Sequence, residues 1–167
     1  MRNASFAIAA LVATLAGCGT PTPATAPAPA PSTVPAPAPV RPTLAAEQRR
    51  LAELFRGTPV VFAMQPDGSL RVAVPLRYCF DPGGVAVKPA LAAVLDRVAK
   101  SQRDATTRFR VAAPPDPGAK GPTLARDRAT STRDHLVAHG IAATRLVIAG
   151  VAQVEGVEIV VAETAQR

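Results

Sequence analysis

Aromatic residues are scarce in this 167-residue chain, which has five Phe, one Tyr and no Trp. A surface that stacks nucleic-acid bases on aromatic rings is therefore not expected, and the core has to be built from Val, Leu, Ile and a few Phe. Cysteine is rarer still, with Cys18 and Cys79 alone, which excludes a scaffold stapled by several disulfides. Charge is missing altogether between Arg2 and Arg41. No apolar run approaches the roughly 20 residues that cross a bilayer as a helix.

What is present starts with a basic balance: 19 Lys and Arg against 12 Asp and Glu, a formal net charge of +7. Such a balance favours anionic partners, among them nucleic acid, acidic lipid and acidic polymers. Met1 to Cys18 has a positive start at Arg2 and an apolar stretch from Phe6 to Leu15, the pattern of a secretory signal over residues 1–17. Leu15-Ala16-Gly17-Cys18 resembles the bacterial lipoprotein lipobox. That resemblance implies cleavage before Cys18 and attachment of diacylglycerol to its thiol, which removes Cys18 from any disulfide with Cys79. Gly19 follows, not Asp, so outer-membrane lipid is the implied partner of the anchor and the periplasm the expected place of the domain. A secreted lipoprotein rarely meets nucleic acid, so no nucleic-acid partner is expected.

Residues 18–43 read as the lipidated cysteine and a tether. Nine of the 18 prolines fall between positions 19 and 43. A stretch of this composition cannot bury a core and favours polyproline II. At about 3.1 Å per residue it spans roughly 75–80 Å, a semi-rigid spacer.

The folded domain is expected over 44–165. Thr43 is placed to cap a helix carrying Leu44, Leu51, Leu54 and Phe55, and Gly57 to stop it. Two apolar runs separated by Q-P-D-G predict a hairpin, with Pro75 marking an edge or a bulge. Cys79 is read as a small buried hydrophobe on the second strand. Pro89 opens a helix with Leu91, Val94, Leu95 and Val98 on one stripe. R-F-R-V-A-A predicts a strand, with Phe109 and Val111 on one face and Arg108 and Arg110 on the other. A Pro/Gly loop containing Asp116 then leads to a helix over 123–139, with Leu124, Ala129, Thr132 and Leu136 turned to one side. Gly140 is placed as its left-handed cap. R-L-V-I-A-G and G-V-E-I-V-V-A-E predict two final strands. After the hairpin the order is strand, helix, strand, helix, strand, strand: an α/β (α+β) two-layer sandwich with helices covering one mixed sheet.

These residues resemble the OmpA-like, peptidoglycan-associated domain over about 45–163. Y-C-F-D-P-G-G-V-A-V-K-P is similar to that family's F-x-x-G-x-x-x-L-x-P. L-A-R-D-R-A-T-S-T-R-D-H-L-V-A-H-G-I is similar to its L-S-x-x-R-A-x-x-V-x-x-x-L-x-x-x-G-I, with Thr132 in place of Val. The resemblance implies non-covalent binding of peptidoglycan, with Asp116 and Arg128 flanking the ammonium and carboxylate of a diaminopimelate residue in the stem peptide. Two departures stand out. The loop between Asp116 and the helix is about three residues shorter than the family's, with Pro115 in place of Thr. V-E-G-V-E replaces N-R-R-V-E before the last strand, so two supporting arginines are absent. The alternative is a degenerate OmpA-like scaffold that has kept the fold, lost the ligand and serves envelope assembly through protein partners.

Other patterns point to less. His135 and His139 share a helix face at i, i+4, but H-L-V-A-H lacks the Glu of the metalloprotease motif and no third ligand is evident along the chain. They are read as solvated helix residues, with no metal or cofactor expected. G-A-K-G-P-T does not have phosphate-loop spacing, and no Ser or Cys nucleophile has a convincing base, so no enzyme is expected.

Overall fold

The chain is described from a computed structural model, which covers residues 42–118, 122–152 and 155–164. The expected signal segment, Cys18 and nearly all of the tether lie outside these residues. Among the described residues, no helix is long and apolar enough to cross a membrane.

Helix α1 (Leu44–Leu54) begins where expected, with the Thr43 hydroxyl accepting the Ala46 amide at 3.2 Å. Leu44 and Leu51 face inward, whereas Leu54 is exposed. The third inward position is taken by Glu47, whose carboxylate accepts two bonds from Arg50. Strands β1 (Val61–Met64) and β2 (Leu70–Pro75) form the predicted antiparallel hairpin, Met64 opposite Leu70. Its turn closes on Asp67, which accepts from the Ser69 amide at 2.9 Å and the Ser69 hydroxyl at 2.6 Å. Pro75 ends β2 beyond the reach of β1, whose last partner is Ala73. The missing proline N–H therefore costs the hairpin no ladder bond.

Past Pro75 the structure departs from the expected strand. Leu76–Tyr78 make one 3-10 turn, and Cys79 follows it rather than lying on a strand. The role expected of Cys79 is kept: its side chain is fully buried, and its Sγ donates to the Val74 carbonyl at 3.2 Å. Burial pushes the thiol up to about 11, because a thiolate would lose its hydration there. Native protein at neutral pH is thus expected to leave Cys79 unmodified by an aromatic disulfide reagent, with full labelling only after unfolding. Labelling at the rate of a free thiol in the folded chain would contradict this placement.

Helix α2 (Pro89–Gln102) buries all four residues of its predicted stripe. Strand β3 (Thr107–Ala113) buries Phe109 and Val111 and exposes Arg108 and Arg110. Helix α3 (Thr123–Ala138) is followed by strands β4 (Leu146–Val151) and β5 (Gly156–Glu163). The five strands form one mixed sheet in the order β1-β2-β5-β3-β4, in which only β3 and β4 run parallel. Val72, Phe109, Ile159 and Val161 from the sheet close one core with Leu51, Leu91, Leu95 and Leu136 from the helices. The opposite face of the sheet is mixed: Arg71 pairs there with Glu158 at 3.1 Å, and Val61 and Val147 are exposed.

Two close backbone features fix this frame. Gly140, at φ 95°, stops α3 with the Ile141 amide on the Leu136 carbonyl and the Gly140 amide on Val137, the paired bonds of a Schellman cap. Ile141 then returns to the core. Gly156 opens β5 directly against Val74 and Pro75 of β2, with no room for a side chain.

Candidate functional site

The inward stripe of α3 consists of Ala125, Arg128, Ala129, Thr132 and Leu136. Ala125 takes the place expected for Leu124, which is only half-buried. The small Ala and Thr side chains leave room in the stripe for one long residue, and Arg128 occupies it with 0% of its surface exposed. A buried guanidinium needs acceptors for its fixed fork of N–H groups, and here they come from two loops. From the loop after Cys79, the Gly84 carbonyl accepts from Nε at 2.9 Å and the Asp81 carbonyl from Nη2 at 3.2 Å. From the loop after β3, the Pro114 carbonyl accepts from Nη1 at 3.2 Å and Asp116 Oδ1 from Nη2 at 2.6 Å. The Phe80 ring lies 5.2 Å from the guanidinium carbon.

Asp116 is held from both sides. Its second oxygen accepts the Gly83 amide at 2.5 Å. That amide, and then the Arg128 guanidinium, keep the carboxyl below the usual carboxylate range, because both stabilise the charged form. Asp116 is therefore ionised at neutral pH. Its side chain remains 24% exposed, so one edge of a fixed carboxylate faces outward.

That edge borders a cleft of about 1020 Å³. Pro114, Pro115, Pro117 and Phe80 give it apolar walls, and Asp116, Glu155, Arg77 and Lys88 give it charge of both signs. Arg128 is not among the residues that line it. On the rim, the Lys88 ammonium donates to Asp81 at 3.0 Å and to the Arg77 carbonyl at 3.4 Å. The exposed Arg77 guanidinium lies 4.7 Å from the Tyr78 ring.

The structure thus brings Asp116 and Arg128 together but does not set them side by side in the cleft. Arg128 stands behind Asp116, with its bonds turned to protein. The amide that supports the acid comes from Gly83, on the other loop. Arg77 and Lys88 were not singled out in the sequence. The available signal was their position, flanking the loop D-P-G-G-V-A-V that the Arg128 side chain ties down.

At the far end of α3 the two histidines have a neighbour in space. Asp96, on α2, lies 2.7 Å from His135 Nε2 and 3.3 Å from His139 Nε2 through one oxygen. The third donor missing along the chain is therefore present across the helix pair.

No family model matches the chain, and no curated protein sequence matches it. Solved structures do. A MotB-like protein from Desulfovibrio vulgaris superposes with a TM-score of 0.58 at 16% identity, covering 72% of this chain and 92% of that one. The cell wall anchor of the T6SS from Pseudomonas aeruginosa does so with a TM-score of 0.56 at 22% identity, covering 75% and 100%. The periplasmic domain of Helicobacter pylori MotB (residues 90-256) follows with 0.52 at 18% identity, covering 75% and 87%. The chain has the OmpA-like fold that its motifs resemble.

Proposed function

We propose that this chain is an outer-membrane-anchored lipoprotein whose domain grips peptidoglycan non-covalently from the periplasmic side. The observation that carries the reading is the Asp116 carboxylate. It is locked in its ionised form, with one edge open to a cleft whose rim holds Arg77 and Lys88. A ligand with an ammonium and a carboxylate on one carbon fits such a cleft, and the diaminopimelate of a stem peptide is that ligand. In this reading Asp116 receives the ammonium, and Arg77 or Lys88 receives the carboxylate. Arg128 acts through Asp116 as a positioning residue. The shared fold with a cell wall anchor and with MotB periplasmic domains supports the choice of polymer.

The test is co-sedimentation of the full chain with purified sacculi. Asp116→Ala is expected to weaken the affinity for sacculi at least about tenfold, the weight of a lost charge-assisted contact of about 1.5–3 kcal/mol. Arg77→Ala/Lys88→Ala is expected to weaken binding with no loss of thermal stability, since both side chains sit on the rim. Equal recovery of wild type and Asp116→Ala would remove the cleft from the account. A separate expectation concerns the anchor: Cys18→Ala moves the protein from the membrane to the soluble fraction. If that variant still sedimented with membranes in high salt, the lipid attachment would be wrong.

One observation favours a second reading. Arg128 is fully buried and its charge is already met by Asp116 and three carbonyls, as expected of a clamp kept for stability alone. A scaffold of that kind would bind a specific envelope protein and leave sacculi untouched.

A further inference from the structure

The geometry points to a divalent metal site on the α2–α3 surface, formed by Asp96, His135 and His139, separate from the cleft and independent of the peptidoglycan reading. The three donor atoms lie within 4.8 Å of one another. Asp96 Oδ1 stands 2.7 Å from His135 Nε2 and 3.3 Å from His139 Nε2. Zinc bonds of about 2.0–2.2 Å at tetrahedral angles separate their ligands by roughly 3.4 Å. An entering ion therefore needs Asp96 to part from the two histidines by less than about 1 Å.

The preparation of His139 goes further than spacing. Its Nδ1 lies 2.8 Å from the His135 backbone carbonyl. A carbonyl only accepts, so Nδ1 carries the proton and, in the neutral ring, Nε2 presents its lone pair. That carbonyl is the partner that fixes tautomer and ring orientation in metal-ligating histidines. The rings of His135 and His139 stack with centroids 4.3 Å apart and 17° between planes, and both Nε2 atoms approach the same Asp96 oxygen. His135 sits in the last turn of α3 and His139 at its C-cap. Asp96 comes from the adjacent α2, so the set joins two helices. Each of the three residues is partly exposed, which gives an ion access from solvent and leaves coordination positions for water. Arg103 donates to the His139 carbonyl at 3.3 Å, a contact with backbone and not with the ring.

Two imidazoles and one carboxylate suit a late first-row divalent ion, with affinity rising toward copper and remaining high for zinc. Occupied, the site would staple α2 to α3 at the end of the domain opposite the cleft.

The experiment is titration of the full chain, purified in detergent and stripped with chelator, with Zn²⁺ by calorimetry and Co²⁺ by absorption. One Zn²⁺ per chain is expected, with affinity falling at least about tenfold in each of Asp96→Asn, His135→Gln and His139→Gln. Zn²⁺ should also raise the thermal midpoint of wild type and leave that of the triple variant unmoved. Because these side chains are partly exposed, the variants are expected to melt like wild type in chelator. Absence of saturable binding to wild type would overturn the assignment and leave the cluster as a His–Asp contact between helices. Unchanged affinity in His139→Gln, or a thiolate charge-transfer band with Co²⁺, would overturn it by placing the ion elsewhere.

Discussion

Arg128→Ala is expected to lower the unfolding free energy by about 3–5 kcal/mol, the cost of removing one partner from a buried charged network. The size follows from what is left behind. The carbonyls of Asp81, Gly84 and Pro114 lose their donor, and Asp116 loses the guanidinium at 2.6 Å. The hole in the α3 stripe also cannot be filled by Ala125, Ala129 or Thr132. For a domain of this size the thermal midpoint should fall by on the order of 10–20 °C, read by circular dichroism on the full chain. Arg128→Lys should recover only part of the loss. Its single ammonium is a point donor and cannot span two loops with the geometry of a planar fork. A melt of Arg128→Ala within about 0.5 kcal/mol of wild type, the range of ordinary surface changes, would show that the loops hold together without it.

Gly156→Ala is the second large effect. An added Cβ would overlap the Val74 carbonyl oxygen and sit 2.9 Å from its carbon and 3.1 Å from the Pro75 Cα. These are backbone atoms at the end of the β2–β5 ladder, so no side chain can rotate away. Either β2 or the start of β5 has to shift, at a cost of roughly 1–3 kcal/mol and occasionally more for overpacking. The shift would reach the cleft, because Pro75, Leu76 and Glu155 line it. Gly156→Ala is thus expected to lose both stability, by urea denaturation, and sacculus binding. Gly57→Ala serves as the control. Unlike Gly156 it carries a positive φ, 78°, and open space surrounds it, so its cost should be confined to backbone strain. Equal stability of the Gly156→Ala and Gly57→Ala variants would mean that the β2–β5 approach is not tight.

The periodic elements were readable from the chain because each is a local pattern. The spacing of Leu91, Val94, Leu95 and Val98, the alternation of β3 and the Gly140–Ile141 stop depend on neighbours within two turns, and all three are found. The depth of Arg128 was also written locally. It falls i+3 from Ala125 and one before Ala129, on the buried stripe, and only its charge pointed outward. Cys79 was placed on a strand because apolar residues continue past Pro75. The chain instead bends there, and the tight turn of Leu76–Tyr78 brings Cys79 under the sheet. Asp96 could not be joined to His135 from spacing, since 39 residues separate them and only the packing of α2 on α3 brings them to 2.7 Å. Arg77 and Lys88 escaped notice for the same reason. A rim is defined by the loop opposite it, and the Asp116 loop departs from the family pattern in both length and proline content.

The strand order has a kinetic consequence. β5 comes after every other element described, yet it lies at the middle of the sheet, pairing with β2 on one side and β3 on the other. Until it arrives, the β1–β2 hairpin and the β3–β4 pair share no ladder bond, and the contacts that join them are long-range and slow to form. The nascent domain therefore stays open until its last strand has emerged. Closure of the sheet is thus set by its final element, and the two strand pairs become one sheet only when β5 docks between them.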